Sequence, residues 1–155
     1  MQAIALLKAD HDEVKALLEE LMATTPRAVK RRTELVEKID QALTAHVAIE
    51  EEIFYPAFRE AGDKAEAKMY FEALEEHRAV EALVLPDLQK TDPSSEKFSG
   101  RAKVLKELLH HHIDEEESDM FKQAKKLLSA EQLQALGDRM QARKQEVLAA
   151  LKKAA

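Results

Sequence analysis

The sequence predicts an all-α protein, an antiparallel up-down four-helix bundle with an extra C-terminal helix, and three observations carry that prediction. Apolar residues recur at helical spacing along almost the whole chain, the breaks are few and short, and the composition suits amphipathic helices. Of 155 residues, 45% are hydrophobic and 35% charged, with three Gly, two Tyr and five Phe. A sheet would draw on β-branched and aromatic residues instead.

Ile4, Leu7, His11, Val14, Leu18 and Leu21 form one stripe, giving a first helix to about Met22. Thr25-Pro26 predicts an N-cap followed by proline at the first helical position, where its missing N–H costs nothing. The second helix should run from there toward Glu60 with a kink at Tyr55-Pro56. After the break at Gly62-Asp63, a third helix continues to about Leu88, its last turn disturbed by Pro86. Thr91-Asp92-Pro93-Ser94-Ser95 is the clearest loop. A fourth helix reaches Leu128, and Ser129 with Gln132 forms a capping box that starts a fifth. Residues 1–128 are therefore expected to form the bundle, and residues 129–155 a helix packed on it or at an interface.

Composition also narrows the function. A net charge of −6, with no basic stripe carrying interleaved aromatics, argues against a nucleic-acid partner. With no Cys, disulfides, thiolate metal sites and thiol chemistry are excluded. The apolar run Met1–Leu7 ends at Lys8, Asp10 and His11, too soon for a signal peptide, and no run of 18 apolar residues exists. The expectation is a soluble, cytoplasmic monomer or homodimer with no membrane partner.

Four histidines follow an internal repeat. His46 lies 35 residues after His11, and His112 lies 35 residues after His77, so the two halves are offset by 66. Glu50 and Glu116 obey the same offset, as do Val14/Val80, Ile39/Leu105, Leu43/Leu109, Val47/Ile113 and Tyr55/Phe121. Each half supplies one helix with a lone His and one with His-x-x-x-Glu, whose members share a helix face. Folded face to face, the halves would line a pseudo-two-fold centre with four imidazoles and two carboxylates. The plainer reading of a buried histidine is a hydrogen-bonded core residue, but here it must satisfy six polar groups at once. Each left unpaired would cost ~1–3 kcal/mol, and the glutamates more. A buried cation removes that penalty for all of them together.

The run His110-His111-His112 offers two registers. His110 shares a face with Lys103, Lys106, Asp114 and Glu117, and is expected in solvent. His111 is a boundary residue, with Glu115 as the competing pair. His112 with Glu116 satisfies the offset and lies with Leu105, Leu108, Leu109 and Met120. Glu81 forms a further His-x-x-x-Glu with His77, but its repeat counterpart is Lys15, which makes it an outer partner of the site and not a ligand. Glu51, Glu52, Glu115 and Glu117 are expected on solvated faces or as outer partners.

The pattern Asp10-His11, His46-Val-Ala-Ile-Glu50-Glu51-Glu52-Ile-Phe-Tyr-Pro56, Glu76-His77 and His111-His112-Ile-Asp-Glu115-Glu116-Glu117 resembles the hemerythrin-like, HHE cation-binding family. The resemblance spans about residues 3–128, and it implies a hemerythrin-like bundle with His11, His46, Glu50, His77, His112 and Glu116 as metal ligands. Donor chemistry agrees, since imidazole and carboxylate without sulfur suit Fe, Mn or Zn. The expected cofactor is two non-heme iron ions with an oxo or hydroxo bridge, Glu50 and Glu116 bridging, and Mn or Zn as substitutes. A ferritin-like arrangement needs Glu-x-x-His on two helices, and only Glu107-Leu-Leu-His110 is present. An open position on such a pair would admit a small diatomic or peroxide ligand. Peroxide decomposition is the leading expectation, in a catalase- or peroxidase-like or stress-defence role, with Tyr55 and Glu81 as proton or hydrogen-bond donors. Binding, storage or sensing of O2, NO or iron without turnover is the alternative.

Overall fold

A computed structural model describes residues 1–155. Helix α1 spans Ala3–Met22; α2 runs Val29–Ile49, passes through a π-turn at Glu50–Phe54 and continues as Tyr55–Ala61. Helix α3 is Lys64–Ala79, a π-turn at Val80–Val84 and Leu85–Gln89; α4 is Glu96–Glu115, a π-turn at Glu116–Met120 and Phe121–Leu127; α5 is Ala130–Ala154. The architecture is the expected helical bundle with an added C-terminal helix, which packs along α1 and α2. None of the helices is long and apolar enough to cross a membrane.

The helix starts follow capping chemistry, with one exception. Ser95 caps α4 by accepting from the Phe98 N–H, and Ser129 and Gln132 close the expected capping box of α5. Asp63 and Glu66 form a second box at the start of α3. The expected cap at Thr25-Pro26 is displaced: Ala28 N–H bonds Thr25 O in a turn, and α2 begins at Val29 without a side-chain cap. Arg32 accounts for the shape of that connection. Buried at 3% exposure, it donates to Thr24 Oγ1 and O, to Pro93 O and to Ser99 Oγ. One guanidinium thus ties the α1–α2 loop to the α3–α4 loop and satisfies carbonyls that a cap would have left open.

The proline signals mark two of the three π-turns. Pro56 lacks an N–H and its ring would clash with the carbonyl four residues back, so α2 widens and Tyr55 N–H bonds Glu50 O instead. Leu85 N–H bonds Val80 O ahead of Pro86 in the same way. The third, where Phe121 N–H bonds Glu116 O, has no proline, but it stands at the 66-residue offset from the first. The kink expected at Tyr55-Pro56 is therefore a π-turn that precedes the proline.

The interior is divided. One apolar cluster gathers Ile4, Leu7, Ile49, Phe54, Phe58, Phe121 and, from α5, Leu133, Leu136 and Met140. The other gathers Val14, Leu18, Leu35, Ile39, Val80, Leu88, Leu105 and Leu109. Between them lie the buried polar side chains of His11, His46, Glu50, His77, His112 and Glu116. Gly137 sets how closely α5 meets the N-terminus. A Cβ there would run into the Met1 carbonyl oxygen and lie 2.7 Å from Ala3 N. Gly137→Ala should therefore destabilise the fold by about 1–3 kcal/mol despite its better helix propensity, lowering the denaturation midpoint measured by circular dichroism. An unchanged midpoint would show that the N-terminus is free to move aside.

Candidate metal centre

One helix contributes each histidine: α1 His11, α2 His46, α3 His77 and α4 His112, with Glu50 and Glu116 opening the π-turns of α2 and α4. Every imidazole is held by a carboxylate at Nδ1. His11 meets Glu117 Oε1 at 2.8 Å, and His46 meets Asp10 Oδ2, His77 meets Glu51 Oε2 and His112 meets Glu76 Oε1, each at 3.0 Å. These carboxylates accept the Nδ1 proton, which fixes the tautomer and turns each Nε2 lone pair inward. They obey the repeat as well: Asp10 pairs with Glu76, and Glu51 with Glu117, at an offset of 66.

The inner atoms converge as two half-sites. Glu50 Oε1 lies 2.9 Å from His46 Nε2, and its Oε2 lies 3.0 Å from His77 Nε2. Glu116 Oε1 lies 3.3 Å from His11 Nε2, and its Oε2 lies 3.2 Å from His112 Nε2. Each carboxylate thus presents one oxygen to each histidine pair. Ligand atoms of His11, His46, Glu50 and Glu116 lie within 4.8 Å of one another, as do those of Glu50, His77 and His112. His11 Nε2, Glu50 Oε1 and Glu116 Oε1 are buried without a hydrogen-bond partner. Orphaned donors this close together, all buried, fit a cation and fit poorly as a closed hydrogen-bond network.

The π-turn brings in Tyr55. On an uninterrupted α-helix, positions five apart diverge by about 140°, which would aim Tyr55 away from Glu50. With the widened turn, its hydroxyl donates to Glu116 Oε2 at 2.6 Å and has Glu50 Oε2 at 3.0 Å and His77 Nε2 at 3.2 Å. Its ring stacks on His77 with centroids 5.4 Å apart, and Phe121, its repeat counterpart, stacks on His11 at 5.8 Å. The half-sites are therefore alike except for one hydroxyl.

Electrostatics reflect the concentration of charge. Burial pulls His46 down, but Glu50 and Asp10 outweigh it and push it up to about 10. His77 and His112 are likewise raised against burial by their carboxylates. Burial pushes Glu50 up, yet His46 and His77 hold it well below the usual carboxylate range. Burial, with Glu116 and Glu50 adding, keeps the Tyr55 phenol well above its ordinary value. Asp10 is also lowered, because His46 and Lys144 of α5 together outweigh its burial.

Glu81 does not join the cluster. It is exposed, on the wall of a small cavity of about 20 Å³ beside the four histidines, among Val14, Leu43, Val47, Val80 and Leu109. Partial withdrawal from water raises its pKa, with Glu51 and Asp40 adding to the rise and His77 opposing it. The triple histidine needs one correction. His112 is buried, but His111 is the exposed member at 64%, whereas His110 is half-buried with Nε2 unpartnered. The face that looked solvated lies along α1, where Lys106 pairs with Glu19 at 2.9 Å and Glu117 with His11. Charge on that face marks pairing with a neighbouring helix.

Fold and site together define a helical bundle built around a histidine–carboxylate cation site. Residues 2–124 match the family described as Hemerythrin HHE cation binding domain, and the chain belongs to that family. It is similar to the crystal structure of a hemerythrin HHE cation binding domain-containing protein from Mycobacterium kansasii, with a TM-score of 0.84 and 27% identity over 97% of this chain and 89% of that one. It is also 28% identical over 144 residues to a DNA nickase of Nostoc sp. strain PCC 7120, covering 92% of this chain and only 39% of that protein.

Two outcomes follow from the geometry. In the metal-free chain, protons on His46, His77 and His112 take the place of cations, and metal uptake near pH 7 should release them. Their folded values are raised, so the stability they contribute is full below the ordinary 6.5 and is lost as pH climbs, for His46 through about 10. Melts of chelated protein should therefore fall on the alkaline side while metal-loaded protein holds, and uptake in weak buffer should acidify the medium. Uptake without proton release would contradict this account. Separately, His112→Ala should lower bound metal and melting temperature together, whereas His111→Ala should leave the final metal content unchanged. Metal analysis with the reverse result would move the second carboxylate from Glu116 to Glu115.

Proposed function

We propose that this domain holds two iron ions and decomposes hydrogen peroxide, with His11, His46, His77 and His112 as terminal ligands and Glu50 and Glu116 as bridges. The observation that carries the dinuclear reading is the division of each glutamate, one oxygen toward each histidine pair. Bound there, an iron pair supplies two-electron redox chemistry with an open coordination position. In the net reaction one peroxide is oxidised to O2 and a second is reduced to two waters, so two electrons and two protons pass between them. The chain's task is to hold those protons and admit little else. Tyr55 keeps a proton at Oη, against Glu116 Oε2. Glu81, raised at the cavity wall, is the second proton holder. A cavity of about 20 Å³ with aliphatic walls has room for one water-sized molecule. It selects for size and against charge.

A second reading, reversible binding or sensing of O2 or NO, is supported by the same small cavity and needs no proton holder. The name of the Nostoc relative belongs to a protein of which this chain covers 39%. A net charge of −6 favours cations over a phosphate backbone, and no DNA step is placed on this domain.

Oxygen evolution from peroxide by iron-loaded protein tests the choice. Glu50→Ala should abolish it along with dinuclear iron. Tyr55→Phe should keep the iron and lower the rate by about 10²-fold, the scale of general acid–base assistance. Turnover no faster than free iron would favour the binding reading, and Tyr55→Phe at full rate would remove Tyr55 from the chemistry.

A further inference from the structure

Beside the buried layer, the rival register of the triple histidine forms a group of its own. His111 Nε2 lies 3.2 Å from Glu115 Oε1 and 3.9 Å from Glu76 Oε2, and donor atoms of the three lie within 4.8 Å of one another. We propose that Glu76, His111 and Glu115 form an outer site for a divalent cation, from which ions pass into the buried centre. The proposal rests on that centre holding metal.

The donor set suits the task. One imidazole and two carboxylates offer borderline divalent ions enough affinity to be captured, and too few ligands to be retained. His111 and Glu115 are 64% and 48% exposed, so a hydrated ion reaches them without rearrangement of the fold. Glu76 joins the two layers, since its other oxygen takes the Nδ1 proton of His112 at 3.0 Å. A one-residue shift along α4 turns the side chain by about 100°, which sets the outer His–Glu pair beside the inner one. An exposed i, i+4 His–Glu pair contributes little to stability and does not require this arrangement.

A cleft supplies the path. About 270 Å³ in volume, it is lined by Glu72, Glu76, Glu115 and Asp119 against the single cation of Lys68, and His112 and Glu116 lie at its inner end. Glu116 is 3% exposed, and its Oε1 has no hydrogen-bond partner. The negative rim concentrates cations at a narrow opening, and the buried orphan oxygen gives them a destination. The other approach, past Val14, Leu43, Val47, Val80 and Leu109, is walled by aliphatic groups that would strip water from an ion without replacing it. Cations and neutral oxidants thereby reach the centre by different doors.

The test measures loading, not activity. Anaerobic Fe²⁺ is mixed with chelated full-length protein, uptake is followed in time, and final iron per chain is measured. His111→Ala/Glu115→Gln should load about tenfold more slowly than wild type, the lower end of electrostatic steering effects, and should reach the same final content. Glu131→Gln, an equal charge change on exposed α5, should load at the wild-type rate. Iron-loaded wild type should also bind one further Mn²⁺, seen by electron paramagnetic resonance, and the double variant should not. Equal loading rates overturn the port, and a double variant that ends with less iron overturns it too, by placing these residues in the inner shell. Final content in the wild type scores the dinuclear reading separately. A wild-type chain that takes up no iron refutes that reading, and the Mn²⁺ signal then decides the outer site alone.

Discussion

The structure depends on one constraint: a layer of imidazoles and carboxylates crosses the middle of a bundle whose ends are apolar. The burial of Glu50 and Glu116 is tolerable only if positive charge stands between them. Protons on the histidines supply that charge in the metal-free chain, and cations supply it when bound. Much of the surrounding fold serves this balance. The outer carboxylates Asp10, Glu51, Glu76 and Glu117 orient the imidazoles, and Lys144 and Arg143 carry the fifth helix into the network at Asp10 and Glu52. Helix α5 is thus joined to the centre electrostatically as well as through Leu133, Leu136 and Met140.

The duplication explains why so many parts agree. Ligands, outer carboxylates, stacked rings and two of the π-turns recur at the same offset, and the partners of one half come largely from the other. Glu117 holds His11 while Glu51 holds His77, and Tyr55 covers His77 while Phe121 covers His11. Exchange of this kind locks the halves in register, because neither completes its own site. The symmetry is broken where chemistry differs, at the Tyr55 hydroxyl and at Glu81, whose counterpart is Lys15.

Helix number, breaks and the inward face were legible because the 3.6-residue period persists in every element, and the repeat singled out His112 over its neighbours. Other features left weaker traces. Asp10 and Glu76 are polar residues next to a ligand, indistinguishable by periodicity from a solvated edge, although their shared offset was a usable signal. The start of α2 was misplaced because Arg32 does the work of a cap from a position inside the helix. His110 and His111 exchanged exposures because a neighbouring helix covers one flank of α4, which a single-helix pattern cannot encode. Lys144 meets Asp10 across 134 residues, a contact that only packing creates.

The π-turn at Glu50–Phe54 has a consequence for how the gene can vary. Each widened turn holds one residue more than an α-helix needs, and that surplus sets the phase of everything downstream. Deleting any single residue there would let the backbone relax into a regular ladder, a gain locally, while swinging Tyr55 and Phe58 about 100° out of place. Substitutions along exposed positions of this helix are absorbed one at a time. A change of length is not, so α2 is tolerant in composition and intolerant in count.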